Sequence, residues 1–266
     1  MQLNRELFHD IKSIDFQRKS LEREINLAKN IQSTLLNADK PTLEHDELSG
    51  ISIPARLIGG DYFDFYPLSN GKMRIIIGDV MGKGIPAAML MILTRGAFRA
   101  AAGSTKGPGD TLKAMNNAIF KDLRTLHSFV TVFCADWDSD AGTFTYACAG
   151  HSLPEIIKRN QNKVRVPSVK GIMLGGLPNQ IYQEKTISLS EGDLVFMYTD
   201  GIIEAVNKSG DMFKVDRLSV LLKSVVSKNV KEIEKSVIET VNQYTEGLPQ
   251  KDDITMVMLK IGKRGQ

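Results

Sequence analysis

Apolar positions recur every three or four residues through the first part of the chain, and neither proline nor glycine interrupts them. That period predicts one long helix over 4–36. Written as heptads, the d positions are Leu7, Ile14, Leu21, Ala28 and Leu35, and the a positions are Asn4, Ile11, Arg18, Ile25 and Gln32. Every d is apolar, while a alternates between isoleucine and polar residues. Polar residues at a fix register and oligomer state at some cost in stability. The seam of Leu7, Ile11, Ile14, Leu21, Ile25, Ala28 and Leu35 therefore predicts a parallel two-stranded coiled coil and a homodimer. The competing reading is a single amphipathic helix lying on its own domain. Leu27, Ile31 and Leu36 widen the stripe near the C-terminal end and favour that reading there.

Residues 37–47, with Pro41 and several acids, read as a linker, and beyond them the pattern changes. Strand-like runs cover 48–57, 62–67 and 72–79. Helical periods follow over 85–102, where Pro86 stands in the first turn after Gly84, and over 109–125, with Asp110 as N-cap. Strands over 129–137 and 142–149 flank Asp138-Ser139-Asp140-Ala141-Gly142, a hairpin signal. Further strands fit 154–159, 163–166, 181–189 and 193–199, helices fit 214–227 and 230–245, and a last strand fits 253–261. This order predicts an α+β fold: an αββα sandwich of two antiparallel sheets flanked by helix pairs, preceded by the long N-terminal helix. The domains are then 1–40, the linker or coiled-coil helix, and 48–262. The stretch 168–178, with Gly171, Gly175, Gly176 and Pro178, reads as a loop and a candidate substrate-facing flap.

Composition narrows the function classes. The 266 residues are 42% hydrophobic and 24% charged, as in an ordinary soluble globular protein. A net charge of +3 argues for neither nucleic acid nor an anionic membrane as partner, and Lys260, Lys263 and Arg264 read as a solvated tail. The strongest apolar run, 87–93, is too short for membrane insertion. Met1 leads into a charged, periodic helix rather than a signal sequence, so a cytoplasmic location is expected. Cys134 and Cys148 lie in apolar, strand-like runs and read as buried free thiols, which suits a reducing compartment. Neither starts a Cys-x5-Arg phosphate loop, since Pro154 stands six after Cys148.

Four short acidic motifs carry the chemistry: Gly59-Gly60-Asp61, Gly78-Asp79-Val80, Thr199-Asp200-Gly201 and Asp252-Asp253-Ile254-Thr255. Three of them abut predicted strands. Aspartate is a poor strand residue, so an Asp at a strand end occupies a turn or has a task. Four such motifs point to a shared site, and clustered carboxylates are commonly reconciled by divalent cations. A metal-dependent hydrolase is the reading that follows. The Gly78–Gly84 turn is no nucleotide phosphate loop: Gly78 is four before Gly82, and Gly84 replaces the hydroxyl residue that must follow Lys83. Gly59-Gly60-Asp61-Tyr62-Phe63 lacks the second acid of a diguanylate cyclase signature at Tyr62.

Gly-Gly-Asp-Tyr-Phe-Asp from Gly59, Gly-Asp-Val-x-Gly-Lys-Gly-Ile-Pro-Ala-Ala from Gly78, Ala149-Gly150-His151, Tyr198-Thr199-Asp200-Gly201 and Asp252-Asp253-Ile254-Thr255 occur in this order. Together they resemble the PPM family of metal-dependent Ser/Thr protein phosphatases, in its bacterial SpoIIE/RsbU-like branch. The segment Ala28-Lys29-Asn30-Ile31-Gln32-Ser33-Thr34-Leu35-Leu36 is similar to the linker helix that precedes this domain in RsbU-type proteins. The resemblance implies two Mn²⁺ or Mg²⁺ ions, bridged by Asp79. It implies the Val80 backbone carbonyl and Asp61 on one ion and Asp200 and Asp252 on the other. Asp253, Gly201 and His151 are then supporting positions. It further implies attack of a metal-bridging water on a phosphoester, and a phosphorylated STAS-domain anti-anti-sigma factor as substrate in a partner-switching pathway. Many relatives carry a sensor or receiver domain ahead of the helix, so the chain reads either as a catalytic unit regulated in trans by an upstream protein or as a fragment of a longer chain. His151 reads either as a residue near the leaving group or as a turn histidine bonded to backbone, with the second favoured. Lys83 reads equally as a phosphate attractor or a solvated turn lysine. The competing function is a catalytically silent, dimeric signalling adaptor on the same fold.

Overall fold

The computed structural model describes residues 2–37 and 41–263, with side chains for 12–36 and 41–263. The chain divides into two units, Met1–Ala38 and Asp39–Gln266. The first is a single helix, α1 (Gln2–Asn37). Asp15 pairs with Arg18 and Lys19 one turn on, a spacing that supports the helix along its exposed face. Along the expected seam, Ile14 is 64% and Leu21 55% exposed. Ala28 is exposed, while Ile25 and Leu35 are half-buried. The side chains of Leu7 and Ile11 lie outside the described residues.

The second unit runs β1 (Glu47–Ile53), β2 (Tyr62–Pro67), β3 (Met73–Val80), α2 (Ile85–Ala102), α3 (Pro108–Thr125), β4 (Val130–Asp138), β5 (Thr143–Ala149), β6 (Glu155–Ile157), β7 (Lys163–Val164), β8 (Lys185–Ser188), β9 (Leu194–Tyr198), α4 (Asp200–Ile203), α5 (Lys214–Val225), α6 (Val230–Thr245) and β10 (Ile254–Lys260). The strands form two five-stranded sheets, ordered β1-β10-β9-β6-β7 and β2-β3-β4-β5-β8. The ladders within both are antiparallel. Helices α5 and α6 pack on the first sheet, α2 and α3 on the second. This is the α+β sandwich that the element order predicts.

Local chemistry explains most boundaries. β1 stops at Ile53 because Pro54 has no N–H for the ladder. The β4–β5 hairpin is held where Asp138 Oδ1 accepts the Ala141 N–H at 2.9 Å, and Gly142 takes φ +63°. Helix α3 begins at Pro108 after Gly107, so Asp110 stands in the first turn rather than at the N-cap. Proline suits the first helical position because its missing N–H would have no partner there. Asp110 still favours the positive helix end. The expected strand over 181–189 shrinks to Lys185–Ser188, since the Glu184 carboxylate turns to accept the Gly109 N–H at 2.8 Å. The run over 154–159 ends early in a turn, where the Lys158 N–H donates to the Asn162 carbonyl at 2.8 Å.

A charged tie crosses the core. Arg74 is fully buried and meets the Asp136 carboxylate through two hydrogen bonds of 2.7 Å. It also donates to the Ala102 carbonyl at 2.8 Å and the Thr111 hydroxyl at 2.7 Å, which joins β3 to the turn between α2 and α3. Cys134 and Cys148 are buried free thiols, and burial pushes Cys148 up to about 11.

Candidate metal and catalytic site

Four strand ends meet at one end of the sandwich. Asp61 leads into β2, and Asp79 is the penultimate residue of β3, its antiparallel neighbour. Asp200 follows β9, and Asp252-Asp253 leads into β10, again antiparallel neighbours. An antiparallel pair puts the start of one strand beside the end of the next, so each sheet delivers two acidic motifs to the same edge.

Hydrogen bonds join the two sheets there. Thr199 is fully buried, donates its hydroxyl to Asp61 Oδ2 at 2.7 Å and accepts the Thr255 N–H at 3.0 Å. Asp253, 6% exposed, accepts the Ala55 N–H at 2.8 Å with one oxygen and the Gly60 N–H at 2.7 Å with the other. That approach explains Gly59, where a Cβ would lie 2.3 Å from Asp253 Oδ2. Gly201 is required in the same way: a Cβ there would lie 2.0 Å from the Asp253 carbonyl. The neighbouring acids thus differ in task. Asp253 is spent on backbone, while Asp252 faces the cleft.

The cleft has a volume of about 300 Å³ and is lined by Asp79, Val80, Lys83, His151, Asp200 and Asp252 among others. Asp61 is buried behind this lining at 3% exposure. Burial first, then the charge of Asp79, hold the Asp61 carboxyl well above the usual range. Asp79 is pushed up to about 7 by burial and by the charges of Asp200, Asp252 and Asp253, against the pull of Lys83. Asp200 is raised by burial, then by Glu204 and Asp252. Three acids held above their ordinary range show an excess of negative charge that the protein only partly offsets. Lys83 supplies the offset, its ammonium 2.7 Å from Asp252 Oδ2.

This donor set fits hard divalent cations: carboxylates and a backbone carbonyl, with room for retained water. Among the described residues, no three acidic, His or Cys side chains converge closely enough to enclose an ion as they stand. Asp252 and Lys83 are both 37% exposed at their side chains, so their pairing is the contact most easily exchanged.

The His151 ring bridges Thr131 and β9, with Nδ1 2.9 Å from the Thr131 hydroxyl and Nε2 3.2 Å from the Tyr198 carbonyl. Burial lowers its pKa to about 4, so the ring is neutral. A carbonyl only accepts, which places the proton on Nε2 and leaves Nδ1 to accept from Thr131. The 168–178 stretch is irregular, as expected, but is pinned rather than free. Leu174 exchanges two backbone hydrogen bonds with Val130, and Asn116 holds Gly175 and Leu177. None of its residues lines the cleft, although Met173 packs against Gly150, which does. The cleft instead includes Phe129, Thr131 and Ser152, which the sequence reading did not single out.

Comparison with known proteins agrees with this geometry. Residues 69–262 match the family described as Stage II sporulation protein E (SpoIIE). The phosphoserine phosphatase RsbU of Bacillus subtilis is 28% identical over 243 residues, covering 91% of this chain and 71% of that protein. The SiaA-PP2C domain of Pseudomonas aeruginosa superposes with a TM-score of 0.78 at 21% identity, covering 92% of this chain and 98% of that one. RsbX, solved in complex with magnesium, superposes at 0.61 with 16% identity, covering 84% and 98%. At such identities the two structures establish a shared fold, and the sequence match establishes descent: the chain belongs to the SpoIIE family of PP2C-type phosphatases.

Proposed function

We propose that this chain is a metal-dependent protein serine/threonine phosphatase whose substrate is a phosphorylated STAS-domain regulator of partner-switching type. The observation that carries the reading is the gathering of Asp79, Asp200 and Asp252 at one cleft, with Asp79 pushed up to about 7 by its neighbours. Asp79, the Val80 carbonyl, Asp61, Asp200 and Asp252 are the oxygens that would hold two Mn²⁺ or Mg²⁺ ions. Such ions supply Lewis acidity, which makes water a nucleophile at neutral pH and offsets phosphoryl charge. The magnesium complex of RsbX and the activity named for RsbU support this reading.

The chain's own residues have separable tasks in it. Asp253 fixes the 55–60 loop through two backbone N–H groups, and so sets where Asp61 enters the site. Thr199 orients the Asp61 carboxylate. Neutral His151 braces the cleft wall between β4 and β9 and holds no charge against the cations. Lys83 brings the one fixed positive charge among the lining residues, suited to drawing in a phosphate.

Purified protein with Mn²⁺ is expected to release phosphate from a phosphoserine STAS-domain protein, and Asp79→Asn is expected to abolish release. Turnover that survives EDTA, or survives in that variant, would overturn the proposal. We assign homodimerisation to α1, within a 1–40 segment distinct from the 48–262 catalytic region, on the strength of its exposed Ile14 and Leu21. Deleting residues 1–37 is then expected to convert a dimer to a monomer in light scattering; an unchanged mass refutes it. A cytoplasmic site of action fits this substrate class.

A further inference from the structure

The Lys83–Asp252 pair has a second side. Both residues also line another cavity, of about 310 Å³, beyond the cleft. Its apolar walls are Val206 and Met212 after α4, Val241 from α6, Leu248 and Pro249 before Asp252, and Ile254 from β10, with the charged Glu204 and Lys251 beside Lys83 and Asp252 completing the lining. The segment that forms one wall is a small hairpin held by many ties. Val206 bridges Met212, the Phe213 N–H donates to the Ala205 carbonyl at 2.8 Å, and Asn207 Oδ1 accepts the Asp211 N–H at 2.9 Å. The Tyr244 hydroxyl reaches the Asp211 and Met212 carbonyls at 3.2 and 3.1 Å, and Lys208 pairs with Glu246 at 3.0 Å. The opposite wall is fixed where the Gln250 amide donates to the carbonyls of Ile53 and Asp252.

A rigid wall that keeps apolar side chains in water needs a reason. Met212 is 46% and Leu248 36% exposed, both at this cavity. None of the oxygens proposed to hold the cations belongs to it except Asp252. Its volume lies at the low end for ligand pockets, which suits a single large side chain. Its continuity with the cleft, through shared Lys83 and Asp252, decides the occupant. The two cavities adjoin across that pair, so residues flanking a phosphoserine held in the cleft would meet this cavity next.

We propose that this pocket takes an apolar side chain next to the phosphoserine of the protein substrate and is the specificity site of the enzyme. The proposal rests on the phosphatase reading above. The phosphate fixes the peptide in the cleft, and burial of one apolar side chain between the hairpin and the 248–252 turn selects the sequence around it.

The test uses the whole protein with Mn²⁺, p-nitrophenyl phosphate, and two phosphoserine peptides that differ in one neighbouring residue, leucine or aspartate. Wild type is expected to favour the leucine peptide in kcat/KM by about tenfold or more, mainly through KM, the scale of one apolar group in a pocket. In Met212→Gln and Leu248→Gln, both rim substitutions, that preference is expected to collapse towards one. Equal turnover of the two peptides by wild type, or a preference that survives both variants, overturns the pocket. Wild type that hydrolyses none of the three compounds overturns the phosphatase reading itself, and the pocket's role with it.

Discussion

Replacing Thr199 by valine isolates the contact that joins the two sheets beneath the cleft. The side chains are nearly the same size, so packing is preserved and only the hydroxyl is lost. Two buried groups then lose a partner: Asp61 Oδ2, bonded at 2.7 Å, whose carboxylate keeps its bond to the Thr255 side chain, and the Thr255 N–H, bonded at 3.0 Å. A buried polar group left unpaired costs about 1–3 kcal/mol, and Thr199 and Thr255 are both fully buried. Taken as coupled rather than additive, the two losses predict about 3 kcal/mol of destabilisation. Thr199→Ser keeps the oxygen and loses one buried methyl, worth about 1 kcal/mol. Urea unfolding in EDTA, on wild type and both variants, gives the comparison free of metal. Mn²⁺ titration calorimetry gives the second, in which valine is expected to weaken binding and serine to retain most of it. A valine variant no less stable than the serine variant would refute the reasoning, because the hydroxyl would then contribute nothing beyond its bulk.

Asp136→Ala strands the fully buried Arg74 guanidinium and is expected to cost about 3–5 kcal/mol. The double change Arg74→Met with Asp136→Leu should cost less than Asp136→Ala alone in the same urea assay, and an equal or larger loss would count against the charge argument. His151 predicts a pH dependence. Its folded pKa of about 4 lies below the unfolded value of about 6.5, so the unfolded chain binds more protons between them. His151 therefore contributes stability that is lost as pH drops from about 6.5 to about 4, about 2 kcal/mol once solvent in the cleft is allowed for, while Asp79, pushed up to about 7, acts with the opposite sign over the same window. The difference in stability between wild type and His151→Gln, whose amide can bond the same two partners, isolates the histidine and should shrink as pH falls through that window; a difference that does not change with pH refutes the assignment.

The elements were legible where periodicity and breakers agree. Pro86 after Gly84 marks the start of α2, and Asn229 with Glu232 three residues on forms a capping box at α6. A shared site for the aspartates was legible in the repetition of short acidic motifs beside strand-like runs, and the family resemblance supplied its place at one end of the sandwich. What a single sequence could not reveal were the contacts made across the sheets. Thr199 reads as an ordinary strand-end threonine until Asp61, 138 positions away, is seen to accept its hydroxyl. Glu184 was read inside a strand, since nothing local betrays its bond to Gly109. The loop over 168–178 has a flap's composition, yet Asn116 on α3 pins it, and that partner is distant in sequence.

The placing of β10 has a consequence for how the protein is made. It is the last strand of the fold, yet it stands between β1 and β9, inside its sheet rather than at an edge. During synthesis, β1 and β9 therefore emerge with open edges facing one another, and neither can close until 254–260 have left the ribosome. The same segment brings Asp252, and with it Asp253, whose carboxylate settles the loop ahead of Asp61. Nascent chains are thus expected to be without an assembled site until 252–260 have been added. Activity is then expected to arrive together with completion of the sheet.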